Sequence, residues 1–231
     1  MSKPSFIKIS LLAALAVPTF GAGEPRDARE LLARAILIRG GVYHTGSYEA
    51  DCFPPRQVVV ADFYLWPTEV TESWWQAIHE DQTQNADPNQ PATGMTHQEA
   101  EAFCRKLSEH YQITVRLPSA DEWQIAARAG TPGVTYPWGW GLPAGRAAFD
   151  AKGPAAVGTY PPNPLGFYDM AGNVAEWVLA DSKEDHAPVM GGSWAERDPR
   201  YLRISHRLIL PKSYRDRDVG FRFLIEAPAN N

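Results

Sequence analysis

The stretch PPNPLGFYDMAGNVAEW, residues 161–177, decides how the rest of the chain is arranged. It begins with prolines and an asparagine that favour a turn, continues with the aromatic pair Phe167 and Tyr168, and ends in a polar loop. Large aromatic side chains in so irregular a run indicate a loop that is packed into the core. We therefore expect the chain on both sides to fold around it.

The polar end of this stretch has the composition of a calcium site. Asp169 and Glu176 supply carboxylates, and the main-chain carbonyls of Gly172 and Val174 can turn towards the same centre. Ca²⁺ binds several such oxygens at roughly 2.3–2.6 Å. We predict one structural calcium ion on these four residues. The alternative is that the two carboxylates only cap local backbone.

The N-terminus has the pattern of a secretory signal peptide. Lys3 and Lys8 precede an apolar run at residues 9–20, and small residues follow. The run is short for a bilayer span, so we predict cleavage rather than a membrane anchor, and a soluble product in the periplasm. Three segments are predicted: the signal peptide at residues 1–22, a lead-in segment at 23–35, and one domain at 36–226.

Length and charge narrow the class of protein. A chain of 231 residues suits one sizeable domain, and its eight tryptophans favour a packed globule over disorder. Removing residues 1–22 takes away Lys3 and Lys8 and no acid, so the formal net charge moves from −5 to −7. Nucleic acid is therefore not an expected partner, because phosphate binding needs a basic face.

Only two cysteines, Cys52 and Cys104, are present. An even pair in an oxidising compartment predicts a disulfide between them. The alternative is two unrelated buried thiols, because sequence spacing does not show that the sulfur atoms meet.

Residue patterns predict several strands. Residues 26–34 form either a short charged helix or a mobile lead-in. The β-branched and aromatic runs at 36–44 and 57–65 each predict a strand, the first interrupted by a glycine pair. Residues 189–194 and 219–224 predict short core strands.

Capping residues in the sequence predict where three helices begin. Thr71 can cap the first of them. Thr96 with Glu99, and Ser119 with Glu122, have the spacing of a capping box.

Five motifs follow one another in the second half of the chain: RLPSADEWQIAARAG (116–130), YPWG (136–139), VGTYPPNPLGFYDMAGNVAEW (157–177), GGSW (191–194) and GFRF (220–223). In this order they resemble the sulfatase-modifying factor, or formylglycine-generating-enzyme, family. The resemblance implies an α+β, C-type-lectin-like fold with limited regular secondary structure. It also places the family's second calcium site on Asp169, Gly172, Val174 and Glu176.

The resemblance implies a chemistry that this chain lacks the residues to perform. The family's enzyme oxidises a cysteine of a client sulfatase to formylglycine, using copper held by two cysteines after the GGS-aromatic motif. No cysteine follows Cys104 in this sequence. Soft Cu(I) selects thiolate ligands, so we predict a non-catalytic member without copper.

The family includes small exported members that lack these cysteines. The resemblance to them implies a protein partner, such as a membrane sensor kinase or an associated periplasmic complex, as in regulation of type VI secretion. The alternative is a periplasmic enzyme with divergent chemistry, as in siderophore maturation. A carbohydrate-binding module ranks last, because paired calcium ligands typical of lectins are not visible. For the partner groove we predict five residues: Arg200, Tyr201, Arg203, His206 and Arg207.

Overall fold

The computed structural model describes residues 25–79, 87–180 and 183–228. The predicted signal peptide at residues 1–22 lies outside these ranges and stays a prediction. Among the described residues no helix combines the length and the apolar character that crossing a membrane requires.

Short helices and strands alternate with long irregular segments, which confirms the predicted α+β class with limited regular secondary structure. In chain order the described elements are α1 (Ala28–Arg34), β1 (Ile36–Ile38), β2 (Gly41–Thr45), β3 (Arg56–Val60), β4 (Phe63–Leu65), α2 (Glu72–His79), α3 (His97–Tyr111), β5 (Val115–Arg116), α4 (Ala120–Arg128), β6 (Ala175–Trp177), β7 (His186–Met190), the 3-10 helix η1 (Pro199–Leu202), β8 (Leu208–Pro211), β9 (Val219–Phe221) and β10 (Leu224–Glu226).

The predicted helix starts are confirmed. At α3 the Thr96 hydroxyl accepts a hydrogen bond from Glu99 N at 3.2 Å, and the Glu99 carboxylate accepts one from Thr96 N at 2.8 Å. Ser119 and Glu122 form the same reciprocal box at α4. Each such cap contributes about 1 kcal/mol to stability.

Helix α1 belongs to the packed domain. Asp27 caps it, Leu31 is fully buried against the main core, and the Tyr111 hydroxyl donates a hydrogen bond to Pro25 O at 2.8 Å. Of the two interpretations of residues 26–34, the structure therefore shows the helix.

The two predicted N-terminal strands each divide into two. Residues 36–44 give β1 and β2, which lie in different sheets, and the break falls at Gly40, inside the predicted glycine pair. A Cβ on Gly40 would lie 2.9 Å from Val60 O, so only glycine allows this close crossing. The run 57–65, predicted as one strand, divides into β3 and β4 next to Asp62, which accepts a hydrogen bond from Gly40 N.

Three sheets form among the described residues. The first has the antiparallel order β1-β4-β10-β5, and β2 and β3 form a separate hairpin. The third has the order β8-β7-β6-β9, in which β6 and β9 run parallel. Strand β6 lies at the end of the central loop, so the loop leads directly into this sheet.

Two hydrophobic clusters lie on opposite faces of the first sheet. Ile225 belongs to one cluster and Tyr64 packs against it, whereas their chain neighbours Leu224 and Leu65 belong to the other. This alternation is the period of two that a strand imposes on its side chains. The central loop contributes to both clusters, because Phe167 belongs to the second and Trp177 to the first.

Candidate functional site

The central loop, residues 161–177, is anchored by the side chain of Asn163. Its amide nitrogen donates a hydrogen bond to Ala126 O at 2.8 Å, near the end of α4. Its amide oxygen accepts from Leu165 N at 3.0 Å and from Phe167 N at 3.1 Å. This asparagine therefore closes the proline-rich turn and fixes it to a helix.

Gly172 holds the polar half of the loop close to its neighbours. Its φ of 75° lies in the left-handed region, and a Cβ there would meet Ala148 O at 2.3 Å. Gly172 N donates to Gly191 O at 2.9 Å, and Asn173 N donates to Ala148 O at 3.0 Å. The loop is thus tied to the GGSW motif.

A buried ion pair joins the central loop to the end of strand β9. Glu176 is 1 % exposed and Arg222 is 0 % exposed. Arg222 Nε donates to Glu176 Oε2 at 2.6 Å and Nη2 donates to Oε1 at 2.7 Å, so the pair is bidentate. Trp123 Nε1 adds a third hydrogen bond to Glu176 Oε2 at 2.8 Å.

The remaining donors of Arg222 are also satisfied. They reach three main-chain carbonyls: Trp66 O, Pro67 O and Tyr168 O. Burial alone would lower the pKa of Arg222, but the Glu176 carboxylate raises it above its usual value. Charge-assisted bidentate pairs are the strong class of hydrogen bond, so this guanidinium fixes the loop, β9 and the segment after β4 together.

A second pair of carboxyl groups, Glu69 and Asp169, lies beside this ion pair. Burial, followed by the charge of Asp169, raises the pKa of Glu69 well above its usual value. Burial likewise raises the pKa of Asp169 to about 6, although Gly158 N donates to its carboxylate at 2.7 Å.

This raised pKa favours the protonated form of Glu69 in the folded protein. Its Oε1 accepts a hydrogen bond from Asn173 Nδ2 at 3.0 Å, while the buried Oε2 has no donor partner. A protonated Oε2 is a hydrogen-bond donor, and the charge of the Asp169 carboxylate acts on Glu69.

The predicted calcium ligands only partly fit this arrangement. Asp169 and Glu176 do interact within one buried cluster. The oxygens of Glu176, however, already accept three hydrogen bonds, two of them from the positive Arg222. A cation at this site would have to compete with this guanidinium for the carboxylate of Glu176. Calcium on Asp169, Gly172, Val174 and Glu176 stays a prediction.

Carboxylates neutralise two of the arginines in the stretch after the GGSW motif. Arg200 pairs with Asp198 at 2.6 Å, and Arg203 pairs with both Glu49 and Asp51. Tyr201 is exposed and meets the ring of His206 edge-on at 5.0 Å.

The other two predicted groove residues differ in exposure. Arg207 is exposed and its guanidinium lies 5.8 Å from the centre of the Phe53 ring. His206 is 7 % exposed, and burial lowers its pKa. Arg200 is exposed as well but pairs with Asp198, so Tyr201 and Arg207 are the exposed groove residues without a carboxylate partner among the described residues. The partner groove itself stays a prediction.

The predicted disulfide is wrong for this structure, which holds Cys52 and Cys104 as free, buried thiols. Cys104 packs on α3 inside the first hydrophobic cluster. Cys52 instead lies in the loop between β2 and β3, where it forms a β-bridge with His206. Burial raises the pKa of both thiols, that of Cys52 to about 11.

A cavity of about 330 Å³ opens beside Cys52, between the β2–β3 loop, the end of α4 and the segment after η1. Ligand atoms of Glu49, Asp51 and Cys52 lie within 4.8 Å of one another there. Arg203 already pairs with both carboxylates, so the ion pairs account for this cluster without a metal. Arg128 lines the cavity and is almost fully buried.

Glu69, Arg128 and Arg222 belong to these sites but were not predicted from the sequence. Arg222 stands between two phenylalanines, and a single charge inside an apolar run is a signal for a buried pair. Glu69 follows Thr68 in a segment of mixed polarity, which offers no such signal.

The motif order and this geometry agree with a comparison against protein families. A sequence model described as "Sulfatase-modifying factor enzyme 1-like domain" matches residues 21–227. The chain belongs to the sulfatase-modifying factor family. This family accounts for the resemblance of the five motifs and for the C-type-lectin-like fold.

Two curated relatives show how varied the family is. The chain is 31% identical over 183 residues to "Serine/threonine-protein kinase pkn1" of Chlamydia pneumoniae, covering 67% of this chain and 28% of that protein. It is 30% identical over 157 residues to "Inactive C-alpha-formylglycine-generating enzyme 2" of Bos taurus, covering 57% of this chain and 48% of that protein. The matches thus span about half or less of these relatives.

Solved structures support the fold. The "Structure of PvdO from Pseudomonas aeruginosa" has a TM-score of 0.75 and 22% identity, and the match covers 84% of this chain and 94% of that chain. "Treponema denticola variable protein 1" has a TM-score of 0.74 and 21% identity, with 84% and 95% covered. Likeness at this level of identity concerns the fold alone.

Proposed function

We propose that this chain is a non-catalytic, protein-binding regulator of the sulfatase-modifying factor family. In this proposal it acts in the periplasm on a membrane sensor kinase or its associated complex, and promotes kinase-dependent activation of type VI secretion. The observation that carries the proposal is the state of the two cysteines.

Copper oxidase chemistry requires two thiolates that converge on one ion. Here Cys52 and Cys104 are buried, lie in different parts of the fold, and have raised pKa values that favour the protonated thiol. The thiolate is the metal ligand, so these two residues do not provide a copper site. A relative that is named as inactive supports the same proposal.

A kinase partner is supported by the chlamydial relative. In that protein, a region similar to this chain forms part of a longer chain that is named as a serine/threonine kinase. A domain that is joined to a kinase in one protein is a reasonable partner for a kinase in another.

The divergent-enzyme alternative finds less support in the predicted groove. Arg200 and Arg203 are neutralised by carboxylates. His206 is the groove's titratable base, but it is buried and lies edge-on to Tyr201. Protein binding at the exposed Tyr201 and Arg207 needs none of these groups to be activated.

Affinity capture tests the proposal. The exported chain is used as bait with an envelope extract of the source cells, and bound proteins are identified by mass spectrometry. We expect a sensor kinase or a protein of its complex to be enriched. The variant carrying both Tyr201→Ala and Arg207→Ala should lose this enrichment, since aromatic and arginine side chains dominate interface energies.

The matched control is Arg105→Ala, which removes an exposed arginine from α3, an element that packs on the first cluster. It should capture the partner as wild type does. Equal enrichment with all three baits would place the contact elsewhere and contradict the assignment of Tyr201 and Arg207. Absence of any kinase or associated protein from the wild-type capture would contradict the kinase partner.

A further inference from the structure

The side chain of Arg128 lines the cavity beside Cys52 and is 8 % exposed. Nη1 donates to Val134 O at 3.1 Å, and Nη2 donates to Gly46 O at 2.8 Å and Ser205 Oγ at 2.6 Å. The buried Nε has no acceptor. A guanidinium has five N–H donors, so two of them are unused.

The charge of Arg128 also lacks a counterion. Its recorded acceptors are neutral, and it pairs with no carboxylate in the described part of the chain. Burial lowers its pKa, and the Cys52 thiol is the titratable group that opposes this effect. A thiol whose own pKa is raised to about 11 is neutral and does not balance the charge.

The other two arginines of the cavity wall each have a carboxylate partner. Arg56 pairs with Asp121 at 2.6 Å, and Arg203 pairs with Glu49 and Asp51. Arg128 is therefore the one arginine of the cavity wall without a carboxylate contact among the described residues, whereas Glu49 and Asp51 share the single charge of Arg203. Buried charges in proteins are normally paired or hydrogen-bonded, because an isolated one is costly to desolvate.

We propose that this cavity binds a small organic monocarboxylate, with its carboxylate on the guanidinium of Arg128. One guanidinium without a carboxylate partner matches one carboxylate, and Glu49, which shares Arg203 with Asp51, repels a second negative charge. Pro55 and Val134 also line the cavity and can contact an apolar portion of the ligand. A volume of about 330 Å³ lies at the small end of ligand pockets, which suits a ligand of amino-acid size.

The cavity shares Arg203 with the predicted partner groove, but the proposed ligand does not rely on Tyr201 or Arg207. Arg128 and the cavity walls at Gly46 and Val134 belong to the loop after β2, the end of α4 and the segment that follows it. A ligand here can bind whether or not Tyr201 and Arg207 contact a protein.

The probe is sodium propionate, titrated into the exported chain and followed by amide chemical shifts in NMR. Propionamide has the same shape without the charge, and sodium chloride at equal ionic strength controls for salt. We expect saturable shifts at residues 45–48 and 133–135 with propionate and not with either control. Equal shifts with propionamide or chloride, or none with propionate, would overturn the proposal.

Two variants with opposite expected effects make the test specific. Arg128→Met removes the charged donor and should weaken propionate binding by about tenfold or more. Glu49→Gln removes the repelling charge, and should strengthen binding about two- to fivefold. Glu49 is exposed, so this second variant is expected to fold.

If Arg128→Met does not fold, the Glu49→Gln variant and the propionamide comparison decide the question. Unchanged or weaker binding in Glu49→Gln would contradict a carboxylate seated beside this residue. A folded Arg128→Met variant that binds as wild type would contradict the role of the guanidinium.

Discussion

Replacing Arg222 with methionine should destabilise the fold more than almost any surface change. The unbranched methionine fills much of the space of the arginine stem, but it leaves Glu176 buried with one remaining partner, Trp123. Removing one member of a buried ion pair costs about 3–5 kcal/mol. We therefore expect the free energy of unfolding of Arg222→Met to fall by about 4 kcal/mol at neutral pH.

The pH dependence of this loss has a definite sign. Arg222 lowers the pKa of Glu69 and of Asp169, so without it both pKa values rise further above those of the unfolded chain. The folded variant then binds a proton more tightly than the unfolded chain, so its stability decreases as pH rises. The deficit relative to wild type should be larger near pH 8 than near pH 5.

Urea denaturation followed by tryptophan fluorescence at both pH values measures this deficit. The double variant Arg222→Met/Glu176→Gln removes the buried charge, and it should be less destabilised than the two single losses added together. A deficit below about 1 kcal/mol, or one that does not change with pH, would refute the ion-pair account. So would simple additivity in the double variant.

Three further predictions concern the same molecule. Glu69→Gln keeps a donor towards Asp169 but cannot lose a proton. Because the pKa of Glu69 is raised in the folded state, wild type loses stability as pH rises above the pKa of Glu69 in the unfolded chain, and urea titrations across that pH range should show a smaller loss for the variant. An equal dependence of stability on pH in both proteins would contradict a protonated Glu69. Calcium on the central loop predicts a chelator-sensitive melting temperature in wild type but not in Glu176→Ala; identical melting with calcium and chelator, with no metal by elemental analysis, would remove that prediction. Thiol titration of unfolded, unreduced protein should find both Cys52 and Cys104 free; finding none would restore the disulfide.

Local features of this fold could be predicted from the sequence because their partners are close in the chain. Each capping box joins residues three apart, as Thr96 and Glu99 or Ser119 and Glu122. The core role of the central loop follows from its aromatic content, and the ordered motifs indicate the family. These predictions needed no knowledge of which distant segments meet.

The chemistry of the site could not be predicted in the same way, because it depends on distant partners. The pairing of Arg222 with Glu176, and that of Arg203 with Glu49, joins segments that come together only in the folded chain. The predicted disulfide failed for the same reason, since the spacing of two cysteines says nothing about where their sulfur atoms lie. A basic sequence at residues 200–207 likewise does not reveal which cations are neutralised.

The absence of formylglycine-forming activity is the central claim, and a peptide assay tests it directly. The purified protein is incubated with copper, oxygen and a peptide that carries the sulfatase cysteine motif, with a formylglycine-generating enzyme as positive control. The peptide mass is then measured. We predict an unchanged mass, because no pair of thiolates in this chain converges on copper. A lighter product, as expected when the thiol becomes an aldehyde, would contradict the account.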